Sequence, residues 1–160
     1  MSFTRKDVYE AVRALKDEFP CRFDAEPTGS AYFYNSGKDM DILLHANDFL
    51  ESVGVLEAAG FRSCANDDGE SYGDEEESTR YVARRGDVNI ILCKTHEHFS
   101  KWIVATDVVA ALRSSGVACD KALRSVLFEL ITDRRDGDEF IIPEDETGFE
   151  FYLTEAAYVR

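Results

Sequence analysis

Gly29-Ser30 and, eight residues further on, Asp39-Met40-Asp41-Ile42-Leu43-Leu44 form the stretch whose reading decides the fold, together with Asp87-Val88-Asn89-Ile90-Ile91 later in the chain. Successive side chains of an extended strand point to opposite faces, so Asp39 and Asp41 share one side while Met40 and Ile42 take the other. The apolar run that follows the acids reads as a buried strand of the kind found in parallel sheets. TRYVARRGDVNIILCK reads as two strands joined by an Arg-Arg-Gly-Asp turn region, with Val88, Ile90 and Leu92 on one face and Asp87, Asn89 and Ile91 on the other.

Helical signals surround these strands. Val8, Ala11, Val12, Leu15 and Phe19 recur at helical spacing, and Thr4 with Asp7 resembles a capping box, so a helix is expected over about 5–18, ended by Pro20. A short strand is expected at CRFDAE, closed by PTGS. Leu50, Val53 and Leu56 place another helix at about 48–59, with Gly60 as its stop. HEHFSKWIVATDVVAALRSSG is apolar nearly all round, which predicts a central helix, and CDKALRSVLFELITDRR is a cleaner amphipathic one. The tail DEFIIPEDETGFEFYLTEAAYVR suggests a hairpin. This order gives an α/β (α+β) class, a mixed sheet flanked by helices with a C-terminal helical portion. The 160 residues suit a single domain over 1–160, with a core at about 5–95 and a helical and tail portion at 96–160.

Composition narrows the function. With 18 Lys+Arg against 32 Asp+Glu the formal charge is −14, which disfavours a general nucleic-acid binder working through counterion release. Residues 66–78 hold seven of the acids (Asp67, Asp68, Glu70, Asp74, Glu75, Glu76, Glu77) and no base, which reads as a solvated loop or as an acidic lip able to imitate DNA. No apolar run reaches the roughly 18 residues that a membrane span needs, and the N-terminus lacks the apolar core of a secretory signal. A cytoplasmic protein without membrane partners is the expectation. Cys21, Cys64, Cys93 and Cys119 have no zinc-type spacing and read as reduced, mostly buried thiols. His96 and His98 lack a third ligand at a recognisable spacing.

Asp39, Asp41 and Asp87 are the residues that carry chemistry. If their strands are neighbours, three carboxylates meet at one point, and hard oxygen ligands of that kind suit magnesium. Two such ions about 3.5–4 Å apart clamp the attacking and leaving oxygens of a phosphoryl displacement. Gly29 and Ser30, at the start of a short helix, can offer backbone N–H groups and a hydroxyl to a phosphate chain.

On these residues the chain resembles the DNA polymerase beta nucleotidyltransferase superfamily: GSAYFYNSGKDMDILL with ARRGDVNIILC looks like its core signature, over roughly residues 20–95. FSKWIVAT and DKALRSVLFELI are similar to small phage or prophage proteins of that kind, which would put the chain in a host cytoplasm. The resemblance implies that Asp39 and Asp41 bind both of two Mg²⁺ (or Mn²⁺) ions. Asp87 would bind the catalytic ion and help deprotonate the attacking hydroxyl. Gly29 and Ser30 would hold a nucleoside triphosphate, with Lys38 the one local base able to touch a phosphate.

The expected activity is transfer of a nucleoside monophosphate to an acceptor hydroxyl with pyrophosphate release. A protein or small-molecule acceptor is favoured over a long nucleic acid. The chain departs from the superfamily pattern in its eight-residue spacer between Ser30 and Asp39, which contains no arginine. Arg84 and Arg85 could receive pyrophosphate or be surface charge, Trp102 could stack a base or be core, and Lys121 and Arg124 read as surface residues unless their helix packs near the cleft. The rival reading is a non-catalytic acidic binding or inhibitor protein on the same fold. A third is the transferase half of a toxin–antitoxin pair.

Overall fold

The computed structural model describes residues 2–63 and 80–132. Helix α1 spans Arg5–Glu18 and begins with the expected capping box: the Thr4 hydroxyl accepts from the Asp7 N–H, and the Asp7 carboxylate accepts from the Thr4 N–H at 2.8 Å. Its Val8, Val12 and Leu15 are buried. The chain then passes through Cys21, which has a positive φ of 60°, and enters strand β1, Asp24–Thr28. The strand lies later than the sequence reading placed it and takes in Pro27. That is physically permissible because β1 is an edge strand among the described residues, where a missing N–H breaks no second ladder between them.

Helix α2, Gly29–Tyr34, is a six-residue segment that follows β1 directly. Strand β2, Met40–His45, leads to helix α3, Phe49–Ala58, whose N-cap Asp48 accepts from the Glu51 N–H at 3.0 Å. Ser52 and Leu56 are its buried residues, while Leu50 is 79% exposed, so the inward stripe of α3 is narrower than its apolar content suggests. Strands β3, Arg62–Ser63, β4, Arg80–Arg85, and β5, Val88–Cys93, are the remaining strands among the described residues. Helices α4, His96–Ser114, and α5, Lys121–Thr132, follow. The expected C-terminal hairpin and the acidic run at 66–78 lie outside the described residues.

Among the described residues five strands run in the order β1-β2-β5-β4-β3, with β2 and β5 parallel and the other pairs antiparallel. Strand alternation divides the side chains. Ile42, Leu44, Ile90, Leu92 and Ala83 join Val12, Leu15, Leu56 and Phe61 in the main core. On the opposite face Leu43 and Cys93 meet Phe99 of α4. A further cluster of Phe33, Val109, Cys119 and Leu127 ties α2 to α4 and α5. Helix α4 is buried along His98, Phe99, Ala105, Thr106 and Val109, but Val104 is 46% exposed, so one side of this apolar helix is open. Among the described residues no helix is long and apolar enough to cross a membrane.

Candidate functional site

The face of the sheet nearer α4 and α5 carries a polar row. The register sets Asp41 of β2 opposite Asn89 of β5, and Asn89 opposite Arg84 of β4. Because all three strands alternate in phase, these side chains rise on one side, with Leu43, Ile91 and Val82 forming the next row. Asp39 stands just before β2. The Asn89 amide donates to both acids, at 3.1 Å to Asp39 Oδ2 and 3.1 Å to Asp41 Oδ1. Arg84 Nη2 lies 3.5 Å from Asp39 Oδ1.

Gly29 closes this row from the β1 side. Its φ is +82°, and a Cβ placed there would stand 1.9 Å from Asp41 Oδ2. Only a glycine lets the turn into α2 come this close to the carboxylate. The next residue, Ser30, accepts a hydrogen bond through Oγ from Arg124 Nη1 of α5 at 3.0 Å. Thr28 anchors the same corner: its hydroxyl lies 2.9 Å from that of Thr106 and accepts from Trp102 Nε1 at 3.3 Å.

These groups line a cavity of about 480 Å³. Asp39, Asp41, Asn89, Gly29 and Ser30 occupy one part of its wall, and Arg80, Arg84 and Arg124 supply three guanidiniums. Trp102 and Phe128 provide aromatic surface, with ring centroids 5.4 Å apart, and the Arg80 guanidinium sits 5.4 Å from the Trp102 ring. Burial pushes the Asp41 carboxyl above the usual carboxylate range. Asp39 pushes it in the same direction, while the Asn89 donor, Arg124 and Arg84 act the other way.

The sequence-expected residues therefore separate. Asp39, Asp41, Gly29 and Ser30 come together at the cavity. Asp87 does not: it lies in the exposed turn between β4 and β5, and its contribution to this region is a backbone carbonyl that accepts from the Met40 N–H at 2.9 Å. It has the parity of Asn89 but lies one residue before β5 begins, so the expected meeting of three carboxylates is replaced by two carboxylates and an amide. Lys38 is exposed in the bend before β2 and does not line the cavity. Arg85 turns away from it, pairing with Glu18 at 2.6 and 2.8 Å and stacking on Phe61.

Trp102, Arg84 and Arg124, for which the sequence allows either a site role or a structural one, all reach the cavity. Lys121 is exposed and does not. Asn89, Arg80 and Phe128 also line the cavity, although the sequence analysis assigns them no site role. The available signal was Asn89 itself, a polar side chain at an inward position of the apolar run VNIILC. Among the described residues no group of three or more His, Cys, Asp and Glu side chains is arranged to hold a metal. His96 packs edge-on to His45 at 5.3 Å, and buried His98 packs edge-on to Trp102 at 5.7 Å.

No family model matches the chain, and no curated protein matches it. Among solved structures, the crystal structure of conserved protein GrpB from Enterococcus faecalis is similar, with a TM-score of 0.52 at 13% identity. The match covers 83% of this chain and 94% of that one. At that identity the likeness shows a shared fold.

Proposed function

We propose that the cavity binds a nucleoside triphosphate together with a divalent cation, and that the chain is a nucleotidyltransferase passing the nucleoside monophosphate to an acceptor hydroxyl. The observation that carries this reading is the approach of the Gly29-Ser30 turn to Asp41, within one cavity that also presents three arginines. A phosphate chain needs donors and positive charge, and a hard cation needs carboxylate oxygens. Here the two sets stand side by side.

The donor set fits one ion held by Asp39 and Asp41, because two adjacent carboxylates, one of them desolvated, gain from a shared cation. When bound, such an ion would neutralise phosphate oxygens as charge develops on them. The chain's own groups do the rest. Arg124 and Ser30, joined by a hydrogen bond, would orient the phosphates from the α5 side and Arg84 would do so from β4, all three being residues of the cavity lining. Trp102 and Phe128, inclined at 64° to each other, offer aromatic surface against which a base could pack. Asp39, with about a third of its side chain exposed (32%), is the carboxylate that an incoming hydroxyl would meet.

Arg80, Arg84 and Arg124 also answer the lack of arginine in the Ser30–Asp39 spacer. In this reading the basic groups come from β4 and α5 instead. Incubation with each NTP labelled at the α-phosphate, Mg²⁺ and candidate protein and small-molecule acceptors tests it. Label transfer with matching pyrophosphate release, lost in Asp41→Asn, supports transfer.

A second reading rests on Asn89. With an amide where a third acid was expected, the site would bind a nucleotide without transferring it. NTP binding with no pyrophosphate release under any acceptor condition would favour that reading.

A further inference from the structure

We propose that this site takes one divalent cation rather than two, and that Asn89 is the residue that sets the number. The inference rests on the reading of Asp39 and Asp41 as a cation site and specifies how that site is filled.

In a pair of ions clamping both oxygens of a phosphoryl transfer, the ion on the triphosphate is held largely by phosphate oxygens, while the ion on the attacking oxygen depends on protein carboxylates for its charge. In this chain the position facing Asp41 across the parallel β2–β5 pairing belongs to Asn89. Its amide lies 3.1 Å from each acid and carries no charge, so at most it adds a neutral oxygen to an ion already held by Asp39 and Asp41. Asp87, the acid nearest in sequence, is in the exposed turn and does not line the cavity.

The remaining charged lining residues are Arg80, Arg84 and Arg124. A second divalent ion would enter a cavity in which guanidiniums outnumber carboxylates, with no further acid among the described lining residues to face it. A single ion leaves the arginines to meet the phosphate oxygens, which is the chemistry their fork of donors suits. The three guanidiniums of the lining would supply positive charge to the phosphate oxygens that a second ion would otherwise supply.

Equilibrium dialysis of the full chain against Mn²⁺, with a non-hydrolysable ATP analogue on both sides, counts ions per bound nucleotide. The expected result is one Mn²⁺ for the natural chain and two for Asn89→Asp. Two ions on the natural chain would overturn the inference while leaving the cation-nucleotide reading standing. No ion at any concentration would overturn both. The natural chain's count stands whether or not the variant tolerates three clustered acids. An Asn89→Asp chain whose melting midpoint does not rise with Mn²⁺ beyond that of the natural chain, or which still takes one ion, would show that Asn89 does not set the number.

Discussion

Replacing Gly29 by alanine tests the close approach on which the site depends. The perturbation has two separable parts. Gly29 has φ +82°, a region that costs an L-residue about 1–2 kcal/mol. Its new Cβ would also stand 1.9 Å from Asp41 Oδ2 and 2.6 Å from Asp41 Cγ, so the turn or the carboxylate must move. Forced overlap of this kind adds about 1–3 kcal/mol.

Gly116 supplies the control, because it has the same φ of +82° with nothing within 4 Å of its own added Cβ. Gly116→Ala therefore carries the backbone cost alone. At about 2–4 °C per kcal/mol for a chain of this size, Gly116→Ala should lower the thermal midpoint by about 2–8 °C and Gly29→Ala by about 4–20 °C. The second readout is binding: Gly29→Ala should lose the nucleotide-dependent rise in midpoint, and Gly116→Ala should keep it. Equal destabilisation by the two substitutions, with nucleotide binding intact in both, would mean that the turn does not press on Asp41.

Three further outcomes follow from the same geometry. Arg124→Ala removes the donor to Ser30 Oγ and a charge from the cavity; a charge-assisted bond of about 1.5–3 kcal/mol corresponds to roughly 10- to 150-fold weaker nucleotide binding, measured by calorimetry. Asp41→Asn should raise the stability of the ligand-free chain at pH 7. The folded Asp41 holds its proton more tightly than the unfolded one, so ionising it costs stability as pH rises above the ordinary value of 3.8, and the variant's advantage should vanish in melts below that pH. Arg85→Ala breaks a pair in which both side chains are more than a third exposed (39% and 38%), so after solvent screening the ion pair and the Phe61 stacking together are worth about 1–2 kcal/mol; thermal melts should show that loss with nucleotide binding unchanged.

Much of the framework was legible because local signals and the global fold agree. The capping box at Thr4, the alternation in DMDILL and the Arg-Arg-Gly-Asp turn each state their element without tertiary help. The first strand was misplaced because Pro27 reads as a turn residue, and only its position on the sheet edge explains why it can pair with Ile42. The site was half legible. Asp39 and Asp41 are fixed by alternation within one strand, and Gly29 and Ser30 by their closeness in sequence. The third member depends on the register of β5 against β2, which alternation cannot supply: Asp87 and Asn89 share a parity, and the start of the strand at Val88 selects Asn89. Arg124 lies 94 residues from Ser30, and only the packing of α5 reveals that the two meet.

Binding of a nucleoside triphosphate with a cation at the cavity of Gly29, Ser30, Asp39 and Asp41 is what every role proposed for these residues requires. Its most direct test is the thermal midpoint of the chain with Mg²⁺ and each NTP, beside the Asp39→Asn, Asp41→Asn double variant. At 100 times the dissociation constant a ligand that binds the folded state alone adds about 2.7 kcal/mol, or about 5–11 °C here. The midpoint should rise by that order only when both Mg²⁺ and NTP are present, and the rise should be lost in the double variant. A natural chain that melts cooperatively with the same midpoint under every NTP and Mg²⁺ concentration, or a double variant that keeps the full rise, would contradict binding at this cavity.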